Sequence, residues 1–249
     1  MNSEGAKSRY TVDDIRQSYD VEKAKEERYT EWAVYYLYRP LSFQITPFFL
    51  HLNCSPSNVT FISLVLAICL PFLALWFPAP YFFVGLLGLI ISVLDCVDGN
   101  IARVTGQTSQ KGGYFDFLTD ILYRILMYLS IGLIISQASW ISESFTVIAT
   151  ECLLIAAMLA IIARMCRMYV DNELSFKDDI DVEKRNEHNS TSWLDNYFFP
   201  FFSGLDWALP FAVIIFGYLG LLHWVLVWLL LYSALDFLHT QYSTFSKLQ

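Results

Sequence analysis

Basic residues are scarce in this sequence. The chain of 249 residues has 16 Lys and Arg against 24 Asp and Glu, so its formal net charge is −8. Without a basic surface to neutralise phosphates, the chain is not expected to bind nucleic acid. Histidine is rare, with four residues, and the five cysteines form no C-x-x-C pair. The cysteines are therefore interpreted as small apolar side chains, not as a zinc site or a disulfide framework.

Apolar side chains dominate instead. Hydrophobic residues make up 55% of the chain and aromatic residues 17%, which is too apolar for a soluble globule of this size. Runs of about 20 apolar residues span a bilayer as helices. The pattern predicts an all-α integral membrane protein, embedded in a lipid bilayer, with six transmembrane helices over Val59–Trp76, Tyr81–Val97, Tyr114–Ser136, Phe145–Met165, Phe199–Leu219 and His223–His239.

The first 52 residues have a different composition. Thr11 and Asp14 form a capping box that predicts a charged, solvated helix reaching about Arg28. From Tyr29 to Leu52 aromatic and aliphatic residues become frequent, which predicts an amphipathic helix in the membrane interface, broken at the proline of Arg39-Pro40. We therefore divide the chain into N-terminal cytoplasmic and interfacial helices, residues 1–52, and a six-helix transmembrane domain, residues 53–249.

The Lys and Arg residues indicate an orientation. Three alternate connections, near residues 77–80, 137–144 and 220–222, contain none of them. Because positive residues favour the cytoplasmic side, both termini, the connection after the second span and the polar segment Tyr169–Ser192 are predicted to be cytoplasmic. A bacterial inner membrane and an organelle membrane fit this pattern equally well.

One charged stretch lies between the second and third predicted spans. It reads D-C-V-D-G-N-I-A-R at residues 95–103 and, after eight residues, G-G-Y-F-D-F-L-T-D at residues 112–120. Asp95 and Asp98 are three residues apart and Asp116 and Asp120 are four apart, so each pair shares one helical face. Four carboxylates in one small volume would repel each other without a cation between them.

Carboxylate ligands suit hard cations such as Mg²⁺ or Mn²⁺. Two such ions about 3.5–4 Å apart can clamp a phosphorus centre during a displacement, so the sequence predicts a metal site of this kind. Arg103 offers a rigid fork of N–H donors that suits phosphate. Small residues would let a ligand lie against the backbone; these are Gly99, Ala102, Gly112 and Gly113.

The spacing D-x2-D-G-x2-A-R-x8-G-x3-D-x3-D resembles the signature of the CDP-alcohol phosphotransferase, or CDP-alcohol phosphatidyltransferase, family, with every specified position filled. The resemblance implies transfer of a phospho-alcohol group from a CDP-alcohol to a hydroxyl acceptor, with release of CMP, by a metal-dependent enzyme of phospholipid biosynthesis. It implies Asp95, Asp98 and Asp116 as metal ligands. Asp120 would also ligate a metal or act as general base on the acceptor. Some relatives have a histidine base after the third aspartate, where this chain has Phe117.

The resemblance also implies a nucleotide-binding surface made by Gly99, Ala102, Arg103 and Gly112. Ser109 falls where some relatives contact the donor, although a loop serine is commonly just solvated.

Upstream, R-P-x-S at Arg39–Ser42 and S-P-S-N-V-T at Ser55–Thr60 resemble the amphipathic helix and the start of the first span of that family. In relatives the second segment touches the cytidine nucleotide, which implies Asn58 and Thr60 as donor contacts. The residues themselves favour a helix N-cap at this point.

Several alternatives stay open at this level. The donor is either CDP-diacylglycerol with a polar acceptor, which most of the family uses, or a CDP-linked choline, ethanolamine or inositol with a lipid or alcohol acceptor. An ion-coupled transporter is the alternative from another class, since acids inside membranes often form ion pathways. The four aspartates lie near one membrane face, however, with no matching acidic chain in later spans. A catalytically inactive scaffold is a third reading.

Three other charged residues have two possible roles each. Arg124 follows Asp120 by four residues and either pairs with it or binds phosphate. Asp206 and Asp236 line the acceptor pocket or pair within the helix bundle.

Members of the family commonly form homodimers, and the same is one expectation for this chain.

Overall fold

The computed structural model describes residues 10–137, 143–178 and 204–247, and in these ranges every regular element is helical. The elements are α1 (Val12–Gln17), α2 (Val21–Thr30), a π-helical turn (Val34–Tyr38), α3 (Arg39–His51), α4 (Pro56–Trp76), α5 (Pro80–Thr105), α6 (Gln110–Ser136), α7 (Glu143–Asp178), α8 (Leu209–Tyr218) and α9 (Leu222–Lys247).

Five helices are long and apolar enough to cross a membrane. These are Pro56–Trp76, Pro80–Thr105, Gln110–Ser136, Val147–Val170 and Leu222–Phe245. Many of their exposed side chains are large and apolar; on α4, for example, Phe61, Val65, Ile68 and Phe72 form an outward stripe at helical spacing. The all-helical membrane protein predicted from composition is therefore confirmed, with five candidate spans.

The predicted sixth span, Phe199–Leu219, is not confirmed. Residues 199–203 lie outside the described ranges, and a helical turn at residues 204–207 is interrupted at Ala208 before α8 begins. Pro210 stands in the first turn of α8, which has ten residues. Proline lacks an N–H and clashes with the preceding turn, so it favours a new helix start here. At half the length of a span, α8 does not qualify as one.

The helices pack in an order that positions the acidic motif. α4 packs against α5 and α6, α5 packs against α8, and α7 packs against α9. Buried apolar residues such as Leu70, Val84, Met127, Ile131 and Leu229 form the core between them. The motif lies at one end of this core, on the last turns of α5 and the first turns of α6.

Local signals set the break between α5 and α6. Gly106 ends α5 in the left-handed region, at φ +68°, a conformation that glycine adopts without steric cost. Ser109 caps α6, and its side chain accepts a hydrogen bond of 3.0 Å from the Gly112 N–H. α5 runs to Thr105, beyond the predicted end of the second span at Val97, so the first half of the motif is helical throughout.

The N-terminal region is more structured than predicted. The capping box is confirmed: the Thr11 N–H donates to Asp14 (2.7 Å), and the Asp14 N–H donates to the Thr11 hydroxyl (3.3 Å). The single solvated helix was a wrong prediction. The helix α1 ends at Gln17, and a second helix, α2, starts after its N-cap Asp20. Ile15 and Glu27 are buried, so neither helix is fully solvated.

The helix is also not broken at Pro40. The π-helical turn runs directly into α3, with Pro40 in its first turn, where the missing N–H costs little. Polar residues of α3 face inward, since Arg39, Ser42 and Thr46 are buried, while its apolar residues Leu41, Ile45 and Phe48 are exposed. This exposure suits a helix against lipid, and its place in the membrane interface stays a prediction.

The polar segment predicted at Tyr169–Ser192 begins as helix. α7 continues to Asp178, and residues 179–192 lie outside the described ranges. The division at residue 52 into two regions also stays a prediction.

Candidate active site

The two halves of the motif face one cavity. All four aspartates, Asp95, Asp98, Asp116 and Asp120, line it, together with side chains from α4, α5, α6 and the segment before α8. α5 and α6 each present one aspartate pair, as the i, i+3 and i, i+4 spacings predict. We call this space the aspartate cavity.

The carboxylate of Asp98 is held by a hydrogen bond from a neighbouring helix. It is buried, and the hydroxyl of Thr60 on α4 donates a hydrogen bond of 2.7 Å to its carboxylate. None of the ion pairs in the described part of the chain involves Asp95, Asp98 or Asp116. Carboxylates without a cationic partner are costly inside a membrane protein. These three side chains would therefore be stabilised by a cation.

The donor set fits a hard divalent metal, because it offers carboxylate oxygens and a nearby hydroxyl. Within the described residues, no three acidic, histidine or cysteine side chains are placed to hold one ion as they stand. Binding would thus draw the carboxylates together, which their mutual repulsion opposes when no cation is present.

Asp120 differs from the other three aspartates. It forms an ion pair with Arg164 of α7, and the Arg164 guanidinium lies 5.7 Å from the centre of the Phe117 ring. Sequence reasoning missed Arg164 because an arginine at the end of an apolar run usually marks the membrane interface. Its partner depends on how α7 is rotated against α6, which local spacing does not reveal.

Two further ion pairs form within the bundle. Arg124 forms an ion pair with Asp206 and not with Asp120, four residues before it. Asp236 accepts from Arg167 at 2.8 Å. Both aspartates left open by the sequence are therefore paired within the bundle. Asp206 also lines a small cavity beside Asp120 and Arg124, so it lies close to the motif.

A wider groove adjoins the aspartate cavity. It holds about 210 Å³ and shares Thr60, Asp98 and Asp116 with that cavity. Most of the residues expected to contact the donor line it, namely Thr60, Gly99, Ala102, Ser109 and Gly112. We call it the donor groove.

Two helix N-termini meet at the donor groove. Ser57 lies in the first turn of α4 and Gly112 in the first turn of α6, and both line the groove. A Cβ atom added at Gly112 would lie 3.0 Å from the Ser109 hydroxyl and 3.8 Å from the Ser57 hydroxyl. Unpaired N–H groups at helix N-termini favour bound anions. The groove thus suits a phosphate-bearing ligand.

One expected donor contact, Asn58, is placed elsewhere. Asn58 is exposed and does not line the groove. The N-cap of α4 is neither Asn58 nor Thr60 but Ser55, whose side chain accepts from the Asn58 N–H at 3.3 Å. Pro56 follows Ser55 directly, so the helix starts earlier than expected.

Arg103 does not line the groove either, but it lies against the groove wall. A Cβ atom added at Gly99 would lie 3.4 Å from the nearer Nη atom of Arg103. Its other Nη donates a hydrogen bond of 2.8 Å to Asn100. The guanidinium thus covers Gly99, one of the residues that line the groove.

Comparison with known families agrees with the motif. The profile of the CDP-alcohol phosphatidyltransferase family matches residues 53–235. A search of curated protein sequences finds no match. The matched range includes the aspartate cavity, the donor groove and the ion pair between Asp120 and Arg164, and it leaves α1 to α3 outside. The chain is a membrane-embedded helical member of the CDP-alcohol phosphatidyltransferase family, a family of transferases that take a CDP-alcohol donor and an alcohol acceptor.

Proposed function

We propose that this protein transfers a phospho-alcohol group, in the first instance a phosphatidyl group from CDP-diacylglycerol, to the hydroxyl of an acceptor alcohol and releases CMP. The observation that carries the proposal is the junction of the aspartate cavity with the donor groove at Thr60, Asp98 and Asp116. Such a junction would place a pyrophosphate beside the carboxylates and the nucleotide beside the glycines. The reaction belongs to phospholipid biosynthesis.

The proposed metal site consists of Asp95, Asp98 and Asp116, with Asp120 as a further ligand or as the base. The group bound there would be two Mg²⁺ or Mn²⁺ ions, which would neutralise the pyrophosphate and the charge that develops on the departing CMP. Thr60 orients Asp98 by its hydrogen bond of 2.7 Å, so this carboxylate is positioned before the donor arrives.

The donor is held mainly by backbone and small side chains. Gly99, Ala102 and Gly112 leave the groove open, and residues in the first turns of α4 and α6 line it, where the positive ends of the two helices favour an anion. Arg103 lies over Gly99 and can donate to a phosphate oxygen. These contacts position the donor, and positioning supplies much of the catalysis in phosphoryl transfer.

In the transfer step the acceptor oxygen forms a bond to the phosphorus that carries the alcohol, and the bond from that phosphorus to the CMP oxygen breaks. The acceptor proton passes to Asp120, which faces the same cavity as the metal-binding carboxylates. Arg164 orients Asp120 through their ion pair. The side of the cavity next to Asp120, lined also by Tyr123 and Asp206, is the proposed acceptor side.

The orientation is part of the proposal. The scarcity of Lys and Arg in alternate connections favours an active site and termini on the cytoplasmic side, where CDP-linked donors are made. A homodimer is also proposed, because members of the family commonly form homodimers.

The test is metal-dependent CMP release by the purified protein in nanodiscs with Mn²⁺. CDP-diacylglycerol is offered in one arm, and CDP-choline, CDP-ethanolamine and CDP-inositol in the others, each with a panel of alcohol acceptors. Release with CDP-diacylglycerol that disappears in Asp116→Asn supports the phosphatidyl donor. Release only with a CDP-polar alcohol assigns the protein to the other donor class. No release from any donor, together with a metal-dependent ion flux in liposomes, would favour the transporter instead.

A further inference from the structure

Tyr19 connects the N-terminal helices to the motif. It lies in the turn between α1 and α2, and its ring centre is 5.1 Å from the guanidinium carbon of Arg39 and 5.7 Å from that of Arg103. Both distances are within the range of cation–π attraction. A half-buried tyrosine outside the family match thus contacts an arginine of the motif.

An ion pair fixes this tyrosine. The Tyr19 hydroxyl donates a hydrogen bond of 2.6 Å to Glu27. Glu27 in turn accepts two hydrogen bonds from Arg39, at 2.6 and 2.8 Å, and both partners are buried. Bidentate pairs of this kind have a defined geometry, so the ring of Tyr19 is held from two directions.

The same network reaches Arg103 through Asn100. The Asn100 side chain donates to Ser42 (3.0 Å) and Thr46 (3.2 Å) of α3, and its oxygen accepts from Arg39 at 3.3 Å and from Arg103 at 2.8 Å. Asn100 is buried, and every polar atom of its side chain is engaged. It is a rigid acceptor for one side of the Arg103 guanidinium.

The Arg103 guanidinium has an N–H donor without a hydrogen-bond partner. Its Nε is buried without a hydrogen-bond partner, and in the described part of the chain Arg103 takes part in no ion pair. A buried donor without a partner costs free energy, which a bound anion would recover. The Tyr19 ring and Asn100 hold this guanidinium over Gly99, at the wall of the donor groove.

We propose that α1 and α2 act as a positioning element for the donor groove. Tyr19, held by Glu27 and Arg39, fixes the guanidinium of Arg103 where it meets a phosphate of the CDP group. The inference rests on the proposed function, because it assumes that the groove takes a CDP-linked donor. It adds a role for residues 10–38, which lie outside the matched range of the family.

The test measures binding of CDP, which all the candidate donors share, by calorimetry on the full chain in nanodiscs with Mn²⁺. Tyr19→Leu removes the ring and is expected to raise the Kd for CDP roughly 3- to 10-fold. Tyr19→Phe keeps the ring and is expected to stay within about twofold of the wild type. Tyr19→Gln, a second variant without a ring, is measured in parallel in case the leucine variant does not fold. Tyr29→Leu is the matched control, because Tyr29 lies on α2 and is 63% exposed.

A double variant separates positioning from general destabilisation. If Tyr19 acts through Arg103, Tyr19→Leu has no further effect on the Kd once Arg103→Ala is present. The donor KM should rise with little change in kcat. An unchanged Kd in Tyr19→Leu, or an equal effect with and without Arg103, overturns the positioning role alone. A wild-type chain that binds no CDP and releases no CMP overturns the proposed function as well, so the two failures are distinguishable.

Discussion

The two sides of the aspartate cavity are built from different chemistry. Toward the donor groove, Asp98 and Asp116 face a hydroxyl, glycines and helix N-termini, around a space of about 210 Å³. On the opposite side, Asp120 and Asp206 are paired with Arg164 and Arg124, and the adjoining cavity holds about 20 Å³. On the open side, Asp98 and Asp116 take part in no ion pair with the described residues, whereas the other side is closed by paired charges.

This difference indicates how the two substrates would enter. The open side needs only cations and a phosphate-bearing ligand to complete it. On the closed side, an acceptor must fit beside the ion pairs or displace them. Breaking a buried pair by removing one partner typically costs about 3–5 kcal/mol, although the partial exposure of Arg164, 28% at its side chain, reduces that cost. The acceptor side is therefore where we expect substrate-dependent rearrangement.

The largest effects are expected from the aspartates themselves. Asp98→Asn removes a proposed metal ligand from the open side and should lower CMP release by about 100-fold or more, because the charge on the departing CMP is no longer neutralised. Asp120→Asn should lower turnover by about 100- to 10,000-fold if the proposed base is lost. Both are measured as initial rates of CMP release.

Metal affinity separates the two aspartates. Asp98→Asn should also weaken Mn²⁺ binding strongly, whereas Asp120→Asn should weaken it less if Asp120 serves mainly as the base. Equal loss of Mn²⁺ affinity in both variants identifies Asp120 as a ligand. Near wild-type turnover in Asp98→Asn contradicts the metal role of the open side.

The next effect concerns the closed side. Arg164→Gln leaves Asp120 without its partner, so kcat should fall by up to about 100-fold, the loss that a misplacement of about 1 Å can cause, while the Kd for CDP should stay unchanged. Arg167→Gln is the matched control on the same helix, because its pair with Asp236 is half-exposed and such pairs contribute little. A change in CDP affinity without a change in kcat would show that the two sides are not separate.

A smaller effect is expected at the mouth of the donor groove. Gly112→Ala places a Cβ atom 3.0 Å from the Ser109 hydroxyl and should disturb the α6 cap, which is a contact of about 1 kcal/mol. The Kd for CDP should rise about 3- to 6-fold with little change in kcat.

The cap itself provides the control for that prediction. Ser109→Ala removes the hydroxyl, so Gly112→Ala should add little in the Ser109→Ala background. Additive effects on CDP affinity would show that Gly112 contacts the nucleotide directly and does not act through the cap.

The smallest effect concerns the N-terminal network and its pH dependence. Burial raises the pKa of Glu27, but the hydrogen bonds and charge of Arg39 outweigh burial and leave the pKa below its ordinary value of 4.5. A carboxyl with a lowered pKa stabilises the folded state above its unfolded pKa, and this stabilisation is lost as the pH falls through the folded value. The difference in Tm between wild type and Glu27→Gln should be a few °C at neutral pH and should shrink below pH 4.5. A difference that grows in acid contradicts this role for Glu27.

Local sequence signals located much of the fold and the site. The spacing of the aspartates placed them in one cavity, and runs of apolar residues identified the five long helices. Interhelical partners were not predictable in the same way. Pairing with Asp120 at i, i+4 was one of two interpretations of Arg124, the other being phosphate binding, yet Arg124 pairs with Asp206, because helix rotation and the packing of α8 decide which charges meet.

The N-terminal region shows a second kind of error. A charged sequence with a capping box is typical of a solvated helix, but Glu27 is buried because Arg39 supplies a partner twelve residues along the chain. Ser55 likewise took the cap that Asn58 or Thr60 was expected to form, since Pro56 starts the helix at once. Tertiary partners and adjacent prolines overrode the local pattern in both places.

Counting Mn²⁺ ions in the presence of CDP tests the central claim most directly. The chain in nanodiscs is titrated with Mn²⁺, with and without CDP, and free Mn²⁺ is followed by electron paramagnetic resonance. If the aspartate cavity and the donor groove form one metal-dependent site, about two Mn²⁺ ions per chain should bind with CDP, and Asp98→Asn should abolish this binding. CDP-independent binding that is unchanged in Asp98→Asn, or no binding at all, would contradict the claim.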